Sequence, residues 1–180
     1  MNRFSTERYT AFARALHWLM ALMILGLIAV GIYMSDLPDD APNRLQIYTL
    51  HKTFGVLALF LIFVRIAWNL INKPPALPAL LKPWEVKLTL LVKASLYLLM
   101  IATPMAGYAL SNFADKSILL FGVFEMPVLF APSEEGKDIA GELHEILAFT
   151  MLGLVALHVA GAIKHRLFDR PEADVLKRML

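Results

Sequence analysis

Four near-continuous apolar stretches, each long enough to cross the hydrocarbon of a bilayer, constrain this chain more than any other feature. They run from about Ala15 to Met34, Tyr48 to Leu70, Lys87 to Leu110 and Gly141 to His165. A bilayer core about 30 Å thick needs roughly 20 apolar helical residues, and backbone in lipid must hydrogen-bond within its own segment. The expected fold is an all-α membrane protein: a four-transmembrane-helix bundle, with residues 1–180 forming a single domain. Hydrophobic residues at 58% against charged residues at 18% exclude an ordinary soluble enzyme. The first run is longer than a signal-peptide core, and no small-residue cleavage site follows it, so it is expected to remain.

The connections differ in kind. SDLPDDAPNR is polar, and NKPPALPALLKPW is Pro-rich and therefore extended. The segment from Ser111 to Gly141 has an apolar centre, ILLFGVFEMPVLFAP, broken by Gly122 and Pro127. It is expected to lie against the outer membrane surface or cap the bundle, without crossing. Pro104 should kink the third span. The charged tail from Arg166 is expected to end in helix.

Charge sets the expected orientation. Arg3, Arg8 and Arg14 precede the first span; Arg65, Lys73, Lys82 and Lys87 flank the second connection; Lys164, Arg166, Arg170, Lys177 and Arg178 mark the tail. The other two connections hold only Arg44, Lys52, Lys116 and Lys137. Positive loops stay inside, so both termini should be cytoplasmic.

With no cysteine, the chain has no disulfide, no thiolate iron–sulfur cluster and no covalent haem attachment. Histidine carries the chemistry instead. His144 and His158 lie fourteen residues apart in the last span. That is almost four helical turns, so both rings leave one face with a rise of about 21 Å. Topology puts His17 and His158 near the inner leaflet, and His51 and His144 near the outer one. Two imidazoles fill the axial positions of a porphyrin iron and suit electron transfer. The expectation is two non-covalent haem b groups, one held by His17 and His158 and the other by His51 and His144. A small residue stands four places after each: Ala21, Gly55, Ala148 and Ala162. It would clear space for a flat ring, although small residues are also common at membrane helix contacts.

Several further residues have two readings each. Arg65, fourteen residues after His51, would either bind a haem propionate at the inner pair or anchor the helix end. Lys52 would do the same at the outer pair, or snorkel to water. His165 would line the inner haem or a quinone pocket, compete with His158 as ligand, or cap the helix in solvent. Lys93 sits inside the third span and needs an anionic partner or a route to water. Tyr9 and Thr10 would line a quinone site or sit at the interface. The nine methionines read as packing. A single bundle histidine is more often bonded to a hydroxyl or carbonyl, and a His-lined metal or proton carrier would need no haem. Four histidines paired by depth favour haem. No motif calls for a nucleic-acid partner.

ALHWLMA, LHKTFGV with Arg65 beyond it, SLYLLMIATPMAGY, GELHEIL, ALHVAGAIKHRLFD and the terminal LKRM resemble the bacterial di-haem cytochrome b561 family. The resemblance runs nearly the whole chain. It implies an inner-membrane bundle with two b-type haems, whose ligands match His17, His51, His144 and His158. The family is similar to the cytochrome b subunits of nickel–iron hydrogenases and formate dehydrogenases, so a haem-bearing anchor of a larger redox enzyme is an alternative. One branch oxidises external superoxide and reduces ubiquinone. Other branches accompany a periplasmic isoprenoid-binding protein, and NFADKSILLFGVFEMP is closer to those. Lys93 and Arg166 stand where relatives often carry histidine. The outer loops here are acidic, with Asp36, Asp39, Asp40, Asp115, Glu125, Glu134, Glu135, Asp138 and Glu142, which disfavours an anionic donor.

Overall fold

The computed structural model describes residues 8–180; Arg3 of the basic N-terminal arm lies outside them. Four long helices account for most of the chain: α1 (Ala11–Ser35), α2 (Arg44–Ile71), α3 (Pro83–Phe113) and α4 (Glu134–Leu167). All four are long and apolar enough to span a membrane. At 1.5 Å per residue the shortest, 25 residues, reaches about 38 Å, beyond the hydrocarbon thickness. At most 17% of each apolar window is buried within the chain, so most apolar side chains face outward, as lipid requires.

Local chemistry sets the helix ends. Thr10 caps α1 through Ala13 N–H at 3.3 Å. At the start of α3 Glu85 Oε2 accepts from the Lys82 backbone N–H at 2.9 Å, and Pro83 fills the first turn. Ser133 caps α4 at 3.0 Å, followed by Glu134 and Glu135, while Lys164, His165 and Arg166 meet the negative end of its dipole. The cap explains a correction. The last helix begins at Glu134 and not near Gly141, because EEGKD is polar but a good first turn. The tail is also less regular than expected, with short 3-10 turns at Pro171–Ala173 and Leu176–Arg178.

Between α3 and α4 the chain makes a small hairpin, β1 (Leu119–Leu120) with antiparallel β2 (Phe124–Glu125). Gly122 takes a left-handed φ of 73° in its turn. The hairpin caps one end of the bundle, with Thr53 Oγ1 donating to the Leu119 carbonyl at 3.4 Å. Asn112 Oδ1 accepts from Leu129 N–H at 2.6 Å, and the Tyr108 hydroxyl bonds the Pro127 carbonyl. At the other end the tail crosses α1: Trp18 Nε1 donates to Met179 O at 2.9 Å, and Arg14 bonds the Leu180 carbonyl. These two ends are called the hairpin end and the tail end below.

The core is Leu16, Met20, Ile24, Ile28, Ile62, Leu99 and Met151, midway along the helices. Packing is uneven. α3 lies along α4, α1 along α2, and α2 along α3, whereas α1 touches α4 only briefly. Among the described residues no Cα of α2 comes within 8 Å of α4. The two helix pairs that carry the paired histidines are thus the loosely packed ones.

Candidate functional site

The sequence pairing appears directly in the rings. His17 and His158 have centroids 6.3 Å apart at the tail end, and His51 and His144 6.2 Å apart at the hairpin end. The ring planes in each pair are nearly perpendicular, at 74° and 83°. No imidazole of either pair bonds its partner. Metal–imidazole bonds of about 2.0 Å put a ring centre about 3.1 Å from the metal, so two rings sharing one metal stand about 6.3 Å apart. Both pairs meet that spacing, across the gaps that the backbone leaves open. The apolar core separates them.

The protonation chemistry differs between the pairs. His144 Nδ1 lies 2.8 Å from the Thr103 carbonyl, which can only accept, so the ring proton sits on Nδ1. Its Nε2 lone pair is left free, as a metal ligand needs. His51 Nδ1 is buried without a partner, a donor or acceptor that the protein leaves unused. At the tail end Arg65 Nη1 donates to His17 Nδ1 at 3.1 Å. That contact holds the neutral proton on Nε2. Ligation through Nε2 requires the proton to cross to Nδ1 and Arg65 to release the ring, and a carboxylate is the group that would draw the guanidinium away. Donor set and ring spacing fit a metallated ring at each pair, and at the hairpin end the orphaned His51 Nδ1 adds to that fit.

Arg65 belongs to a wider cluster. Its Nε donates to the Tyr97 hydroxyl at 3.1 Å, which also accepts from Asn69 Nδ2 at 2.9 Å. Charged groups whose fields reach His158 are Lys93 and Arg65, and Arg65 acts on His17. At the hairpin end Lys52 is half-buried with Lys116 as its charged neighbour. Tyr9 lies beside this tail-end cluster, and burial raises its phenol above the ordinary range against the opposing pull of Arg65. Thr10 is committed to the α1 cap and to Trp68 Nε1 at 2.9 Å.

His165 is not brought to either pair. It is buried, and its Nδ1 lies 2.6 Å from Asp169. Lys164 links the same Asp169 at 2.9 Å to Glu85 at 2.5 Å, tying α4 to the start of α3. The hydrogen bond from Lys164, and then that from His165, holds the Asp169 carboxyl below the usual carboxylate range.

Sequence reading missed the residues that α3 contributes. A Cβ at Gly107 would stand 2.9 Å from His144 Cε1 and Nδ1, so a side chain there would have to push the ring aside. A Cβ at Gly31 would reach His51 Cε1 at 3.4 Å. Gly55, expected to clear space, has nothing within 4 Å of such a Cβ. The one available signal for Gly107 was its place just beyond Pro104 in an otherwise bulky span.

Four membrane-length helices that bring two histidine pairs together at opposite ends fit one class, multi-pass membrane electron-transfer cytochromes of b type. Comparison with known proteins agrees. The family described as prokaryotic cytochrome b561 matches residues 8–180, and the chain belongs to it. It is 33% identical over 174 residues to cytochrome b561 homolog 2 of Escherichia coli (strain K12), covering 97% of this chain and 92% of that protein. It is 27% identical over 181 residues to cytochrome b561 homolog 1 of the same organism, covering 100% and 98%. A probable superoxide oxidase CybB of Yersinia pestis is 26% identical over 161 residues, covering 88% and 89%. Membership implies b-type haem, electron transport and an inner-membrane location.

Proposed function

We propose that this chain, a single transmembrane unit, passes electrons between a periplasmic donor and the membrane quinone pool. Two b-type haems serve it, one between His51 and His144 and one between His17 and His158. The observation that carries this reading is the twin ring spacing of 6.2 and 6.3 Å at opposite ends of the bundle. Haem held between the two imidazoles of each pair would supply one-electron exchange. The chain's own residues do the rest. Thr103 fixes the His144 tautomer, Gly107 leaves room for the ring, and Leu16 to Ile28 with Ile62 and Leu99 keep water from the space between the sites.

The excess of basic residues at the tail end supports cytoplasmic termini. Arg65 then serves a propionate of the inner haem, and Lys52 one of the outer haem. His165 acts through its ion-pair network, steadying the end of α4 beside the inner site. Ubiquinone is the acceptor class expected at that end. Superoxide as donor is supported by the likeness to the Yersinia pestis protein named for that activity and opposed by the acidic outer loops. The alternative of an anchor for a larger redox enzyme predicts a catalytic subunit that co-purifies.

The decisive experiment counts haem per chain by its absorbance after extraction, for the unaltered protein and for His144→Ala. The expected ratios are two and one. Two haems in both proteins, or a colourless protein in either, contradicts the assignment.

A further inference from the structure

The tail end holds a recess that neither ring pair uses. It opens between the start of α1 and the end of α2, and Arg8, Thr10, Asn69, Asn72 and Lys73 line it. Its floor has room for little more than one water, and with its mouth it offers about 220 Å³ of empty space. The walls are pre-set. Asn72 ends α2, with its backbone N–H bonded to Trp68 O at 2.7 Å. Pro74 and Pro75 then stiffen the connection beside Lys73. The tail pins both sides: Tyr9 N–H donates to Arg178 O at 3.1 Å, and the Arg178 guanidinium bonds the Ala76 carbonyl.

The lining has one sign of charge. Arg8 and Lys73 are exposed cations. No carboxylate of the described residues lines the recess, and none lies within salt-bridge distance of either cation. The charged groups whose fields reach Tyr9 are Arg65 and Arg178, both positive. Each asparagine amide spends one hydrogen elsewhere, Asn69 on the Tyr97 hydroxyl at 2.9 Å and Asn72 on Trp68 O at 3.4 Å, and keeps a second. Uncompensated positive charge beside amide donors suits an oxyanion.

Position selects the source of that anion. Basic residues at the ends of spanning helices stand at headgroup depth. Phe12 packs on Trp68 with ring centroids 4.4 Å apart, and Trp68 Nε1 donates to Thr10 on the recess wall at 2.9 Å. Such rings mark the boundary between water and lipid. Exposed apolar strips lead away from the mouth: Phe12 and Leu19 on α1, and Leu70 and Phe63 on α2, each two seven residues apart and so on one face. A free phosphate has no use for them, whereas acyl chains do.

We infer that this recess binds the phosphodiester headgroup of an anionic phospholipid, with Arg8 and Lys73 as its charge partners and the acyl chains lying along α1 and α2. Phosphatidylglycerol has the required chemistry. Phosphatidylethanolamine does not, because its ammonium would meet two cations and no carboxylate. Binding is non-covalent and stands apart from the two-haem reading.

The test uses the full-length, haem-loaded protein, stripped of lipid in detergent and given equal phosphatidylglycerol and phosphatidylethanolamine. Native mass spectrometry counts the lipid retained. Phosphatidylglycerol should be preferred. Its affinity should fall about fivefold for each cation removed, in Lys73→Gln and again in the double variant with Arg8→Gln. Arg170→Gln with Lys177→Gln removes two exposed cations of the same end outside the recess and should keep the lipid. Excess inorganic phosphate should not displace it. Equal retention of the two lipids, or equal losses in the two double variants, overturns the inference, since general surface charge would then explain the binding. Displacement by inorganic phosphate overturns it in favour of a free anion. A lower haem count in the Arg8 and Lys73 variant assigns these cations to haem and overturns it as well.

Discussion

The imidazole of His144 donates its Nδ1 hydrogen to the carbonyl of Thr103, 2.8 Å away on the neighbouring helix. This bond, with Gly107 one turn further along α3, fixes where the ring points. A methyl group at Gly107 would press to 2.9 Å on two atoms of the ring. Gly107→Ala should therefore weaken only the hairpin-end haem, moving the haem ratio from two toward one. Gly31→Ala, where the closest approach to His51 is an ordinary 3.4 Å, should change the ratio little. Haem absorbance per chain measures both, and equal ratios in the two variants would count against the arrangement.

Ile62 is fully buried at the centre of the core, where α1, α2 and α3 converge. Removing its outer atoms leaves a cavity in packing that lipid does not fill. Ile62→Ala should cost about 2 to 5 kcal/mol. Thermal unfolding in detergent, followed by helical circular dichroism, should show the lowered midpoint.

Asn112 holds the hairpin segment onto the bundle through Leu129 N–H, and its side chain is buried. Asn112→Ala leaves that donor and its neighbourhood unsatisfied, at a cost of about 1 to 3 kcal/mol. The visible result should be faster protease cleavage between residues 119 and 133. The haem ratio should hold at two, because Asn112 contacts neither ring pair.

Asp169 makes the tail end sensitive to acid. Its carboxyl is held below the usual range by Lys164 first and His165 second. A depressed carboxylate stabilises the fold above its unfolded pKa, about 3.9, and that contribution fades as pH falls through this value toward the lower folded one. The thermal midpoint of the unaltered protein should drop on acidification below about pH 5. Asp169→Asn should start lower at neutral pH and show a shallower drop. Parallel curves would mean that Asp169 is not the group responsible.

The four spans were legible because apolar runs of membrane length have few other uses. Pairing by depth was legible because helix geometry converts the spacing of His144 and His158 into one shared face. What escaped was everything decided between helices. Gly107 matters through a ring on α4, and Tyr97 through a guanidinium on α2. The contact of Arg65 with His17 depends on rotamers that no spacing encodes. The first turns of α4 escaped for a different reason: Glu134 to Asp138 are polar, and hydropathy alone ends the helix where lipid ends.

One helix carries a ring for each site, and nothing interrupts it between them. The separation of the two centres is therefore written into a count of residues along a rigid rod. Outside the core contact of Met151, chemical identity along that rod, from Glu145 to Leu157, can drift, but its length cannot. One inserted residue would swing one imidazole through about 100° relative to the other and advance it by about 1.5 Å. Substitution should thus be tolerated there far better than any insertion or deletion.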